Sequence, residues 1–208
     1  MRYDFPNILP AIFDRIWQKI TMSWYRSRSP ILAWFWGVKH KGGVRFQGKT
    51  IIRTHRVGEI LLGRNVVFNA QKVANLVGLM GSNILHVFNG GRIVVGDNTG
   101  FSSVVLSSRS AIKIGSRVKV GGNVRIFDHD FHSTDSVIRA SSKDRDYVRS
   151  KPIVIEDDVF IGTNALILKG TEIGARSIVA AGSVVFGLKV PPDSLVKGNP
   201  AQIVSVKK

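Results

Sequence analysis

Ile155-Glu-Asp-Asp-Val-Phe, Ile161-Gly-Thr-Asn-Ala-Leu, Ile167-Leu-Lys-Gly-Thr-Glu, Ile173-Gly-Ala-Arg-Ser-Ile, Val179-Ala-Ala-Gly-Ser-Val, Val185: across this stretch a β-branched residue returns every six positions without a miss. Val, Ala, Thr or Ser stands four places after each. A period of six fits neither the 3.6-residue turn of an α-helix nor the two-residue alternation of a strand. It fits a triangular coil in which each hexapeptide contributes one short strand and one corner, and three hexapeptides complete a turn. Stacked turns then pair as parallel β-structure at about 4.8 Å. The Ile or Val points into the prism, and Gly or Asn is expected at the corner, where a positive φ is often required.

Toward the N-terminus the same grammar appears at Ile114-Gly-Ser-Arg-Val-Lys, Val120-Gly-Gly-Asn-Val-Arg and Ile126. Weaker copies begin at Leu62-Gly-Arg-Asn-Val-Val and Val95-Gly-Asp-Asn-Thr-Gly. An all-β coil is therefore expected over residues 41–190, with an N-terminal segment at 1–40 and a closing segment at 191–208.

Between Ile126 and Ile155 the step is 29 residues, which is not a multiple of six. Residues 127–154 must leave the coil, and long departures from a repetitive scaffold are usually functional. Two of the five histidines, His129 and His132, lie there, flanked by Asp128, Asp130 and Asp135. Imidazole, with a pKa near 6.5, serves as a base at neutral pH. Asp128, His129, Asp130 and His132, with His86 from an earlier coil, also offer nitrogen and oxygen ligands for a metal. The bland alternative for Asp128-His-Asp is a solvated turn. His40, His55 and His86 have no partner cluster in the sequence and read as structural.

In the N-terminal segment Phe5, Ile8, Leu9, Ile12, Phe13, Ile16, Trp17, Ile20 and Trp24 follow the spacing of one helical face. Asn7 is a candidate cap, and Pro10 is acceptable only in a first turn. Arg15, Gln18, Lys19 and Arg26 occupy the other side. Such a helix either packs by its apolar face on the domain or a neighbouring subunit, or lies in a membrane interface. The apolar run at residues 31–36 is far shorter than the roughly 20 residues of a span, and no secretory signal pattern is evident. A cytoplasmic protein, soluble or peripheral on the inner face of a membrane, is the expectation.

The formal net charge is +16, and eleven Lys and Arg precede residue 57 against Asp4 and Asp14 alone. That bias favours anionic partners such as phospholipid headgroups, a polyphosphate ligand or nucleic acid. No nucleic-acid motif accompanies it. Cysteine is absent, which excludes disulfides, thiolate metal sites and a thiolate nucleophile.

The repeats, together with Val190-Pro-Pro-Asp-Ser-Leu-Val-Lys-Gly-Asn-Pro-Ala, resemble the hexapeptide-repeat acyltransferases, in the branch of sugar O-acetyltransferases and polysaccharide-biosynthesis enzymes. The resemblance spans roughly residues 40 to 204. It implies a left-handed parallel β-helix, a homotrimer, and an active site in the groove between subunits. It also implies acetyl-CoA as co-substrate and a sugar hydroxyl or amine as acceptor. On that alignment His132 is the general base, His129 is its rival, and Asp130 or a backbone carbonyl orients the imidazole. The turns at Gly162-Thr163 and Ala180-Ala181 would contact the pantetheine arm, and Lys189, Lys197, Lys207 and Lys208 the phosphates. Gln202 stands where many relatives carry a basic residue, and residues 101–109 lack the acceptor-side Asn and Asp of the galactoside and maltose enzymes. The γ-class carbonic anhydrases share the fold and bind zinc through three histidines, but with a wider spacing than His129 and His132, so no metal is expected. A non-catalytic scaffold is the remaining class.

Overall fold

The computed structural model describes residues 5–55, 58–72 and 75–206. Lys207 and Lys208, read above as phosphate contacts, lie outside them. Three parallel sheets form the faces of a prism. The first runs from Lys39–His40 and Glu59–Leu62 through Ala111–Ile114, Ile153–Ile155 and Glu172–Ile173 to Lys189–Val190. The second begins at Arg45–Gly48, passes through Lys119–Gly122 and Phe160–Ile161, and ends on Ser194–Gly198. The third runs from Thr50–Thr54 to Val184–Phe186. This is the triangular coil that the six-residue period predicts, in the left-handed parallel β-helix form that the family resemblance implies.

The register reproduces the repeats. Ile114 pairs with Ile155 and Ile155 with Ile173; Val120 pairs with Ile161 and Ile161 with Val179; Ile126 pairs with Ile167 and Ile167 with Val185. All of these side chains are buried in one continuous core. In the early coils the same interior column holds Phe46, Phe68 and Phe101, stacked with ring centroids 5.4 and 4.6 Å apart.

The corners bear out Gly or Asn at positive φ: Asn98, Asn164, Gly170 and Gly182 hold it three places after the inward residue, and Arg117 and Arg176 do so as well. The glycines that directly follow an inward residue serve close approach instead. A Cβ on Gly96 would lie 2.5 Å from Ser116 N, and one on Gly162 would lie 2.4 Å from Ala181 N. A side chain there would push adjacent turns apart.

Helix α1 (Phe5–Phe35) is longer than the sequence pattern marks, and Asn7, Pro10 and Pro30 all fall within it. It closes the open end of the coil. Arg45–Gly48 is an edge strand, and the N–H of Phe46 donates to Ser29 Oγ (2.8 Å) rather than to another strand. Arg28 Nη2 donates to the carbonyl of Gly48 (3.2 Å), and Gln71 Nε2 to Thr21 Oγ1 (3.0 Å). Ser29 and Ala33 are the buried residues of this contact. The helix therefore docks by its small and polar face. Docking by the apolar face on the chain's own coil is not what occurs, because Trp17, Ile20, Trp24, Ile31, Trp34 and Phe35 stay exposed on it. At the other end Ala201–Val206 turns back antiparallel on Ser194–Gly198 and covers that edge. Among the described residues no helix is long and apolar enough to cross a membrane.

Candidate active site

The coil is interrupted between Arg125–Phe127 on the third sheet and Ile153–Ile155 on the first. The two arms of the excursion are clipped together at its base. His129 and Ser150 form an antiparallel bridge, Asp130 N–H donates to the Arg149 carbonyl (2.9 Å), and Lys151 N–H to that of Asp128 (2.8 Å). Beyond the clip, Asp135 caps α2 (Ser136–Arg139) by accepting from Val137 N–H and Ile138 N–H. A 3-10 turn, Asp144–Tyr147, follows.

Asp128 is fully buried and is no solvated turn. Its carboxylate accepts from Arg109 N–H (2.7 Å), Ser110 N–H (2.9 Å) and Ser108 Oγ (2.7 Å). Its Oδ1 also lies 3.2 Å from His129 Nδ1. With a carboxylate that can only accept, His129 carries its proton on Nδ1 and leaves Nε2 as a lone pair. That Nε2 is buried and has no hydrogen-bond partner. The ring packs against Phe88 and Phe131, with centroids 5.0 and 4.8 Å away.

Three residues on, His132 repeats the arrangement in the open. Its Nδ1 lies 2.6 Å from Asp144 Oδ2, and the side chain is 67% exposed. Asp144 Oδ1 accepts from Ser133 N–H (2.7 Å), so both carboxylate oxygens are engaged. Donation from His132 first, and from Ser133 N–H second, holds the Asp144 carboxyl below the usual carboxylate range. Nε2 of His132 is again the basic nitrogen.

The orienting group for His132 is thus Asp144, which the sequence reading missed. Twelve residues separate the two, and only the fold of the excursion joins them. Asp130 takes another role: its Oδ1 pairs with Lys169, whose Nζ also sits 5.5 Å from the ring centroid of Phe186. His55 and His86 do belong to a cluster, contrary to their reading as isolated. With Phe88 they form an aromatic ladder that reaches His129, and burial, helped by His55 and His129, holds the His86 imidazole below its ordinary pKa. The five residues weighed as metal ligands do not converge, and among the described residues no group of three or more His, Asp or Glu is placed to hold an ion.

The proposed donor-side positions lie on the coils just after the excursion. Thr163 is half-buried and donates through Oγ1 to the Gly122 carbonyl (2.6 Å), while Ala181 is exposed and Ala180 partly so. Lys197 is exposed, and Lys189 is exposed beside Glu172 (3.4 Å).

Comparison with known proteins places the architecture. A family model described as the hexapeptide repeat of succinyl-transferase matches residues 152–186. A hexapeptide-repeat containing acetyltransferase from Vibrio cholerae is 30% identical, covering 93% of this chain and 88% of that one, with a TM-score of 0.59. The chain belongs to the hexapeptide-repeat acetyltransferases. A Vibrio cholerae hexapeptide-repeat acetyltransferase has also been solved in complex with acetyl-CoA; that chain is 26% identical, covers 100% of this chain and 94% of its own length, and has a TM-score of 0.59. A 2,3,4,5-tetrahydropyridine-2,6-dicarboxylate N-acetyltransferase from Clostridium perfringens is 57% identical over 53 residues, 26% of this chain. The match spans only 22% of that curated relative.

Proposed function

We propose that this hexapeptide-repeat protein transfers an acetyl group from acetyl-CoA to a sugar hydroxyl in surface-polysaccharide or glycan biosynthesis. The observation that carries the reading is the His132–Asp144 pair, with an open Nε2, on the excursion from a coil whose relative over its full length binds acetyl-CoA. His132 Nε2 takes the proton of the acceptor hydroxyl as its oxygen attacks the thioester carbonyl. The carbon–sulfur bond then breaks, and the imidazolium returns the proton to the departing thiolate. A backbone N–H near Thr163 is the candidate donor to the intermediate oxyanion. The backbone at Gly162, Thr163, Ala180 and Ala181 would flank the pantetheine arm, with Lys189 and Lys197 near the phosphates.

A homotrimer completes the site. The outer face of the third sheet supports this, because Ile51, Ile84, Val105, Leu166 and Val184 align along it with one interruption, Arg125. The corresponding outer row of the first sheet mixes Lys39, Lys113, Glu172 and Lys189 with Leu61, Val94 and Val154. The more apolar row suits association through the third sheet. The cytoplasmic face of a membrane, where an acceptor glycan on a lipid carrier would be presented, is the location this reading favours.

One observation favours a second reading. The 57% identity over 53 residues is to an N-acetyltransferase, so an amino-sugar nitrogen is the alternative acceptor. Release of free thiol from acetyl-CoA, measured against sugars, amino sugars and nucleotide sugars, tests both. Turnover with hydroxyl acceptors is the expected result. Turnover confined to amines moves the assignment to N-acylation, and no turnover with any acceptor favours a non-catalytic scaffold.

A further inference from the structure

We propose that α1 is an interfacial docking helix that seats the protein on an anionic lipid bilayer through the face turned away from the coil. At 3.6 residues per turn, Gln18, Thr21, Met22, Tyr25, Arg28, Ser29, Leu32 and Ala33 share one side of the helix, and these are its buried and half-buried positions among those whose burial is described. Ile12, Phe13, Ile16, Trp17, Ile20, Trp24, Ile31, Trp34 and Phe35 fall on the opposite side and are exposed. The arrangement inverts that of an ordinary surface helix, whose apolar stripe faces the core.

Tryptophan use sharpens the point. All four Trp of the chain lie in residues 17–36, and Trp17, Trp24 and Trp34 are 52, 63 and 80% exposed. Trp at a protein surface is well matched to the headgroup level of a bilayer, where its ring is buried and its N–H stays wet. Charge selects the occupant. Arg15, Lys19 and Arg26 border the apolar stripe on one side and Arg28 on the other, and the adjoining first turn of the coil adds Lys41, Arg45, Lys49 and Arg53. A surface of such sign repels a second copy of itself and attracts anionic headgroups.

A groove of about 640 Å³ along the flank of α1 has the same double character. Tyr25, Ile31, Leu32 and Phe35 make its apolar wall, with Arg28 and Lys49 at its polar side.

The test uses the full-length protein, vesicles and no acyl donor, so it stands or falls apart from the acetyl-transfer reading. Co-sedimentation is measured with phosphatidylcholine vesicles and with vesicles containing phosphatidylglycerol, alongside Trp emission. The expected result is binding to the anionic vesicles, a blue shift of emission, and weakening by salt. Trp17→Ser/Trp24→Ser/Trp34→Ser should lower the partition coefficient at least about tenfold. Its far-ultraviolet circular dichroism and its oligomeric state should match those of the wild type. Absence of binding to anionic vesicles overturns the proposal. So does equal binding by the triple variant. Dissociation of the oligomer by the triple variant also overturns it, because the stripe would then cover a neighbouring copy.

Discussion

His132 Nδ1 and Asp144 Oδ2 lie 2.6 Å apart, while His129 Nδ1 and Asp128 Oδ1, three residues earlier, lie 3.2 Å apart. Two carboxylate–imidazole pairs therefore stand in one excursion, that of His129 at its root and that of His132 beyond it. They differ in the fate of Nε2: that of His129 is buried without a partner, whereas the His132 side chain is 67% exposed. Access favours His132 as base, since the acceptor must reach the nitrogen. Rigidity favours His129, since a buried acceptor with no partner is rare and asks for a functional explanation.

Single substitutions separate them. His132→Ala is expected to lower kcat by about 10²–10⁴-fold, the usual contribution of a positioned base. His129→Ala is expected to cost stability first, through lost packing on Phe88 and Phe131, with activity per folded molecule retained. The reverse pattern in steady-state kinetics would transfer the role of base to His129.

Asp144 gives a titration test. Its folded-state pKa is depressed from 3.8 by donation from His132 and from Ser133 N–H. A depressed carboxylate contributes stability that is present above the unfolded pKa and is lost as pH falls through the folded pKa. The excursion should therefore keep its order through neutral pH and loosen only below the ordinary carboxylate range. The Asp144 carboxyl carbon, followed by NMR, should titrate below 3.8, and its midpoint should rise in His132→Ala. Asp144→Asn should reduce kcat by up to about 10⁴-fold, as when the carboxylate that orients a general-base imidazole is replaced by an amide, with little change in melting temperature.

Asp128 should behave in the opposite way. Its carboxylate is buried and satisfies Arg109 N–H, Ser110 N–H and Ser108 Oγ. Asp128→Ala would strand two backbone donors at about 1–3 kcal/mol each. Urea unfolding should show a loss of about 2–5 kcal/mol, and the clip at the base of the excursion should open.

The coil was legible because its signal is local and repeated: every inward Ile or Val from Ile114 to Val185 in the quoted repeats is buried in register. The excursion was legible as a break in phase. What the sequence did not reveal depends on contacts between distant residues. The pairing of His132 with Asp144 crosses a helix and a turn, and the pairing of Asp130 with Lys169 crosses 39 residues. The departure after Val67–Ala70, which carries exposed Leu76 and Met80, falls between weak repeats and has no motif of its own. In α1 the pattern of apolar residues identified a face, but a periodicity cannot say what that face meets. Ser29 and Ala33, small enough to sit on the edge strand, decided the docking instead.

Gly162 and Ala181 allow the coil's own requirement to be told apart from donor binding. A Cβ on Gly162 would lie 2.4 Å from Ala181 N, a backbone atom that cannot swing away. Gly162→Ala should therefore force the two turns apart and cost about 1–3 kcal/mol, as overpacking does. Gly182→Ala is the control, because a Cβ there meets nothing within 4 Å and the strain is only that of its φ of +70°. Ala181 itself is exposed, so Ala181→Trp should leave the urea midpoint where it is. If the pantetheine arm runs over this turn, the same bulky side chain obstructs it, and KM for acetyl-CoA rises while KM for the acceptor does not. Unchanged donor KM in Ala181→Trp would move the arm to another face of the coil, leaving Gly162 with a purely structural role.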